Sequence, residues 1–264
     1  MKTLKLAGSP LAYDVRGEGP CVLLLHAFPL DLAMWDAEAR ALEAGQRVVR
    51  FDCRGFGASP PGDGLLSMER IADDAAGLLD HLGVSRAVVC GLSMGGYAAF
   101  AMVRRHPGRL RGLVLADTRA AADSEEGRRG RASLAEKVRQ QGAPPAAEAL
   151  VPRLLGETSL RERPELVARV REVILKTSPQ GIVDALAGLA ARADSTPTLR
   201  EIRVPTLVVC GEEDGLTPVS EARALQQAIA GSRLEVVPRA GHLANLENPP
   251  AFQGALRAFL SALR

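Results

Sequence analysis

The sequence predicts an α/β fold: a mainly parallel sheet of about eight strands flanked by helices, with a helical segment inserted late in the chain. Two observations carry this. Short runs rich in valine and leucine, several of them apolar throughout, alternate with longer stretches at helical spacing. Strands apolar on both faces belong to parallel sheets covered by helices on both sides. The alternation then stops between Arg119 and Thr196, where only helical patterns are found.

Taken in order, "TLKL" and "LAYDV" read as an opening hairpin, followed by strands in "CVLLLHA", "RVVRFD", "AVVCGLS", "RGLVLAD", "TLVVCGE" and "RLEVVP". Helices are expected around 67–82, 95–106, 218–230 and 249–263, each with apolar residues at helical spacing and breakers at its ends. Within the strand-free stretch, "EEGRRGRASLAEKVRQQG", "PPAAEALVPRLLG", "RPELVARVREVILKT" and "PQGIVDALAGLAARAD" read as four helices punctuated by Gly and Pro. The expected organisation is a core of residues 1–118 and 197–264 with a helical lid of residues 119–196.

Composition narrows the function classes. With 264 residues, 47% of them hydrophobic, the chain can bury a substantial core. Its 33 basic and 31 acidic residues nearly balance, and no run of five like charges occurs, so neither a nucleic-acid arm nor a polybasic membrane patch is present. The opening residues lack the apolar core of a signal peptide, and no stretch approaches the roughly 20 apolar residues that span a bilayer. A cytoplasmic protein acting on a small molecule is expected, and an apolar face of the lid offers a surface for a homodimer. The four cysteines, Cys21, Cys53, Cys90 and Cys210, lie far apart without metal-site spacing and are expected to be buried reduced thiols. Of the basic residues 29 are arginine and 4 lysine, which suits a thermophile or a GC-rich genome equally.

The chemistry concentrates at Gly91-Leu92-Ser93-Met94-Gly95, a G-x-S-x-G pattern directly after a strand and directly before a helix. A serine on such a sharp turn needs small neighbours and strained backbone angles, and its hydroxyl then stands at the carboxyl edge of the sheet, where α/β ligand sites form. The plainer alternative is a glycine-rich turn whose serine caps the helix. A serine nucleophile needs a base, and the base needs an orienting acid. His242, in the loop "PRAGHLANLENP", is the candidate base, while His81 and His106 lie at helix ends as capping or solvated residues. Asp214, before Gly215 and a Pro218 helix start, is the candidate acid; Glu212 and Glu213 are rivals, and Asp117 is the next candidate. An oxyanion needs two preorganised donors. These are expected to be the amides of Met94 and Phe28, the latter in "LLHAFPLD". His26 is read as a loop-shaping residue beside the pocket. Trp35, the one tryptophan, is read equally as pocket wall or core packing.

With strand, elbow, helix, acid and histidine in this chain order, the sequence resembles the α/β-hydrolase fold family over essentially its whole length. "FDCRGFGAS" resembles the family's D-x-R-G-x-G-x-S loop, and "IRVPTLVVCGEED" the segment leading to its acid. "HAFPLDLAMWD", "GLSMGG" and "GHLANLENPPAF" resemble 3-oxoadipate enol-lactonases and related small carboxylesterases, although Ala27 stands where glycine commonly follows the loop histidine. The resemblance implies acyl transfer through Ser93 without metal or organic cofactor. A serine at the elbow, rather than aspartate, argues against haloalkane dehalogenase and epoxide hydrolase chemistry. The expected activity is hydrolysis of carboxylic esters with small or medium acyl chains. The alternatives are enol-lactone hydrolysis, a cofactor-free perhydrolase or haloperoxidase, a carbon–carbon bond hydrolase, and a ligand-binding receptor on the same fold.

Overall fold

The computed structural model describes residues 1–263. Strands β3 (Cys21–Leu25), β5 (Ala87–Leu92) and β7 (Thr206–Gly211) are buried at every residue, as their unbroken apolar runs require. They form the middle of one eight-stranded sheet with β1 (Lys2–Leu6), β2 (Ser9–Arg16), β4 (Arg47–Phe51), β6 (Leu110–Ala116) and β8 (Arg233–Val237), in the order β1-β2-β4-β3-β5-β6-β7-β8. The opening hairpin is antiparallel, β2 also runs antiparallel to β4, and every later pairing is parallel. Exposure is greatest at the edges: β1 has no buried residue, and in β8 only Val237 is buried.

The helices that cover the sheet begin where their side chains can cap them. In α2 (Met68–His81), Ser67 accepts from the Arg70 amide at 3.0 Å, and Met68, Ile71, Ala72, Ala75, Leu78 and Leu79 form its buried stripe. It packs on α3 (Met94–Arg105), a helix buried over most of its length against β3, β5 and β6. The C-terminal α11 (Pro249–Ala262) is capped by Asn248, and α9 (Val219–Ala228) covers β7 and β8. Two short helices were not legible in the sequence. One is α1 (Asp36–Leu42), entered through a single turn at Leu32–Trp35; the other is α10 (Ala244–Glu247).

Between β6 and β7 lie five helices rather than the expected four: α4 (Glu125–Gln141), α5 (Pro144–Leu154), α6 (Glu157–Glu162), α7 (Pro164–Lys176) and α8 (Pro179–Ala191). The one missed, α6, is six residues long and lacks an apolar stripe, because Glu213 of the core, rather than a buried face, holds its first turn. Hydrogen bonds across the join attach this segment to the core. Glu247 accepts from the Gly156 amide at 2.8 Å, and the Thr177 hydroxyl donates to the Pro29 carbonyl at 3.1 Å.

All four cysteines are buried and unpaired, and burial pushes their thiols up, Cys21 to about 11 and Cys53, Cys90 and Cys210 well above the ordinary thiol range. Among the described residues no helix is long and apolar enough to cross a membrane.

Glu38 of α1 is an acid in an apolar setting, fully buried between Asn245 and Gln253, whose side-chain amides each donate to it at 3.3 Å. Burial dominates over these donors and pushes its carboxyl from 4.5 up to about 7. The folded state therefore holds a proton that the unfolded chain releases, so this contribution to stability is lost as pH rises from about 4.5 to about 7. Thermal unfolding across pH 4.5–8 should show Glu38→Gln gaining on wild type by about 3 kcal/mol over that window. Parallel curves for the two proteins would contradict it.

Candidate active site

The strand β5 delivers the chain to Ser93, where φ is +55° and ψ −111°, a left-handed conformation rare for a residue with a side chain. The flanking glycines explain how it is held. A Cβ on Gly91 would stand 2.1 Å from the Gly95 carbonyl oxygen, and one on Gly95 would stand 2.2 Å from that of Leu25. Strand and helix thus meet at a distance that no larger residue permits. The Ser93 amide donates to the Ala116 carbonyl at 2.9 Å, and the Thr118 hydroxyl donates to the Ser93 carbonyl at 3.0 Å, so both peptide groups of the turn are fixed from β6.

The Ser93 hydroxyl lies 2.8 Å from His242 Nε2, and His242 Nδ1 lies 2.8 Å from Asp214 Oδ2. An ionised carboxylate only accepts, so Nδ1 carries the proton and Nε2 is left to accept from the serine. Asp214 is saturated: Oδ1 accepts from the amides of Leu216 and Thr217 at 2.8 and 2.9 Å, and the Thr217 hydroxyl donates to Oδ2 at 2.6 Å. Burial works to raise its pKa, but the His242 imidazole and these donors outweigh it and hold the carboxyl below its ordinary range.

The rivals to Asp214 are engaged elsewhere. Glu213 binds the amide and hydroxyl of Thr158 in α6, and Glu212 accepts from the Arg239 amide. Asp117, fully buried, accepts from the Gly211 amide at 2.7 Å and the Ala244 amide at 3.4 Å. It therefore ties the strand end before Asp214 to the turn after His242, and makes no hydrogen bond to the histidine itself. Burial and the neighbouring Asp214 charge push it well above the ordinary carboxylate range. Asp117, Cys210 and Asp214 form the one close set of metal-ligand types among the described residues. Their atoms are already committed to protein partners, the Cys210 thiol donating to the Gly211 and Thr217 carbonyls, which fits a hydrogen-bonded core rather than a metal centre. His106 pairs with Asp73 at 2.8 Å and His81 with the Tyr13 hydroxyl at 3.3 Å, both away from Ser93.

A cavity of about 1020 Å³ opens between Ser93 and the inserted helices α4, α5 and α8. Phe28, Met94 and His242 line it beside Ser93. The amides of Phe28 and Met94 donate to no protein group among the described residues, Met94 being the first residue of α3. Ala27 keeps a negative φ, so the residue in the customary glycine position fits its loop without strain.

Two expected pocket residues lie elsewhere. His26 is fully buried behind the loop: its Nε2 accepts from the Cys53 amide at 2.9 Å and its Nδ1 donates to the Ala27 carbonyl at 3.0 Å. Burial lowers its pKa and keeps it neutral, as those two roles require. Trp35 is fully buried against Phe252 of α11, with ring centroids 5.9 Å apart, because the turn at Leu32–Trp35 directs it to that helix rather than to the cavity. It is core packing. Sequence reasoning passed over Thr217, visible three residues after the acid, and the cavity-wall residues Tyr97, Leu186 and Leu216, which carry no motif.

Comparison with known proteins agrees with this architecture. The family model described as alpha/beta hydrolase fold matches residues 20–249. The 3-oxoadipate enol-lactonase 2 of Acinetobacter baylyi is 30% identical over 260 residues, covering 98% of this chain and 96% of that protein. A thermophilic esterase from Thermogutta terrifontis, solved with malate bound, matches with a TM-score of 0.97 at 41% identity, covering 100% of this chain and 99% of that one. The enol-lactonase from Burkholderia xenovorans LB400 matches at 0.92 and 33% identity, covering 98% and 100%. The chain, a hydrolase, belongs to the alpha/beta hydrolase fold family.

Proposed function

We propose that this protein is a serine hydrolase of carboxylic esters, in which Ser93 is the nucleophile, His242 the general base and acid, and Asp214 the group that orients the imidazole. The observation that supports this most strongly is the continuous chain from Ser93 Oγ through His242 to Asp214, with each link at 2.8 Å. Ser93 Oγ attacks the ester carbonyl while His242 Nε2 takes its proton. The carbonyl oxygen becomes an oxyanion between the Phe28 and Met94 amides, the latter at the positive end of α3. Collapse breaks the bond to the alkoxide, which leaves with the proton from His242. Water then attacks the acyl-serine, His242 taking its proton and returning it to Ser93 as the acid departs.

In this reading residues 119–196 act as a lid that shapes the acyl site, and residues 1–118 and 197–264 as the catalytic core. A lactone is an ester closed on itself and follows the same steps. The enol-lactonases related along nearly the full chain favour it as the second reading.

Hydrolysis of p-nitrophenyl esters from acetate to decanoate tests the proposal. Wild type should show a chain-length optimum, Ser93→Ala should lose roughly 10⁴-fold or more in kcat with its melting temperature preserved, and Asp214→Asn about 10³- to 10⁴-fold. Substantial activity retained by Ser93→Ala would overturn it.

A further inference from the structure

The loops that carry His242 and Asp214 are both held from outside the sheet, and by the same few residues. His242 lies in a turn whose flanking amides, those of Gly241 and Leu243, donate to one oxygen of Glu247 at 2.9 and 3.2 Å. The other oxygen of that carboxylate accepts from the Gly156 amide at 2.8 Å, between α5 and α6 of the inserted segment. Glu247 is buried, and Arg163 donates to the carbonyls of Leu246 and Glu247 at 3.2 and 2.7 Å rather than to the carboxylate. Backbone amides therefore replace the water around a buried acid, and displacing any one of them is costly.

The acid loop is held two residues further along the segment. Glu213, the neighbour of Asp214, accepts from both the amide and the hydroxyl of Thr158, and its own amide donates to the Ala240 carbonyl at 2.7 Å. Packing leaves these contacts no play. A Cβ on Gly156 would stand 2.5 Å from the Glu213 carboxylate and 2.8 Å from the Gly241 nitrogen, and one on Gly241 would stand 2.2 Å from the Gly156 nitrogen. The two ends of the inserted segment are fixed to each other separately: Asp123 meets the guanidiniums of Arg119, Arg131 and Arg192, and the Ser195 amide donates to the Ala120 carbonyl at 2.9 Å. Residues 156–158 thus join the segment to both loops that supply the partners of Ser93.

We propose that Gly156 and Thr158 set the placement of His242 and Asp214 from the inserted segment, with Glu247 and Glu213 as the positioning residues that transmit it. This rests on the serine-hydrolase reading above and gives the segment a role beyond shaping the acyl site. The chain from serine to acid tolerates little error, since a misplacement of about 1 Å caused far from the chemistry costs on the order of 10²-fold in rate.

The p-nitrophenyl esters of acetate and hexanoate separate this role from that of a pocket wall, because the two-carbon acyl group makes the least use of the wall. Glu247→Gln places a donor against amides that need an acceptor and should lower kcat roughly 10- to 100-fold on both esters, with KM within about twofold. Thr158→Val keeps the amide contact and loses the hydroxyl; it should lower kcat about three- to tenfold, and Thr158→Ser should restore it. Glu162→Gln, which breaks the exposed pair between α6 and Arg239, should leave both rates unchanged. The rate at which a fluorophosphonate labels Ser93 should follow the same order, independently of turnover. A loss confined to hexanoate, a loss in KM alone, or Thr158→Val at the wild-type rate would overturn the proposal while leaving the hydrolase reading intact. If Glu247→Gln does not fold, the two Thr158 variants decide. Wild type that neither turns over an ester nor labels at Ser93 fails the hydrolase reading, and the proposal with it.

Discussion

The close approach of β5 and α3 is the constraint on which the site depends. Gly91 and Gly95 leave no atoms between strand, helix and the end of β3, and this contact forces Ser93 into a left-handed conformation. Strain of this kind persists only where the surroundings over-determine it. Here the Ala116 carbonyl and the Thr118 hydroxyl hold the two peptide groups of the turn, and a helix buried along most of its length prevents relaxation. The serine hydroxyl and the first amide of α3 consequently face the same space.

Buried carboxylates then bring the remaining loops to that point. Asp117 joins the end of β7 to the turn after His242, and Glu247 accepts from the amides of Gly241, Leu243 and Gly156, linking the histidine loop to the inserted helices. Asp52 does the same beside the loop that carries Phe28, accepting from the amides of Leu32 and Ala58. A buried carboxylate that accepts several backbone amides satisfies groups that would otherwise be lost from water, and it fixes loops that have little apolar surface of their own. The site is thus held by polar contacts on a sheet that is held by apolar ones.

Much of this was legible in the sequence because the constraints there are local. Apolar runs mark strands that are buried on both faces, and the elbow glycines and the order of serine, acid and histidine mark a turn whose geometry admits few residues. Distinguishing Asp214 from Glu212, Glu213 and Asp117 needed the fold, since four acids lie at adjacent strand ends and only the hydrogen bonds separate their roles. Helices α1, α6 and α10 were not legible, being short and held by contacts distant in sequence. Trp35 could be read as wall or core, and the direction of a single turn decides it. The arginines around Asp123 come from both ends of the inserted segment, positions 119, 131 and 192, and no spacing rule brings them together.

The central claim is that Ser93 is activated by its position and by His242. Treatment of the folded protein with a fluorophosphonate, followed by intact mass and peptide mapping, tests it most directly, because the reagent reacts with an activated serine whatever the natural substrate. The account predicts one adduct, on the peptide containing Ser93, and none in His242→Ala under the same conditions. An unmodified wild-type protein, or an adduct on another serine, would contradict it.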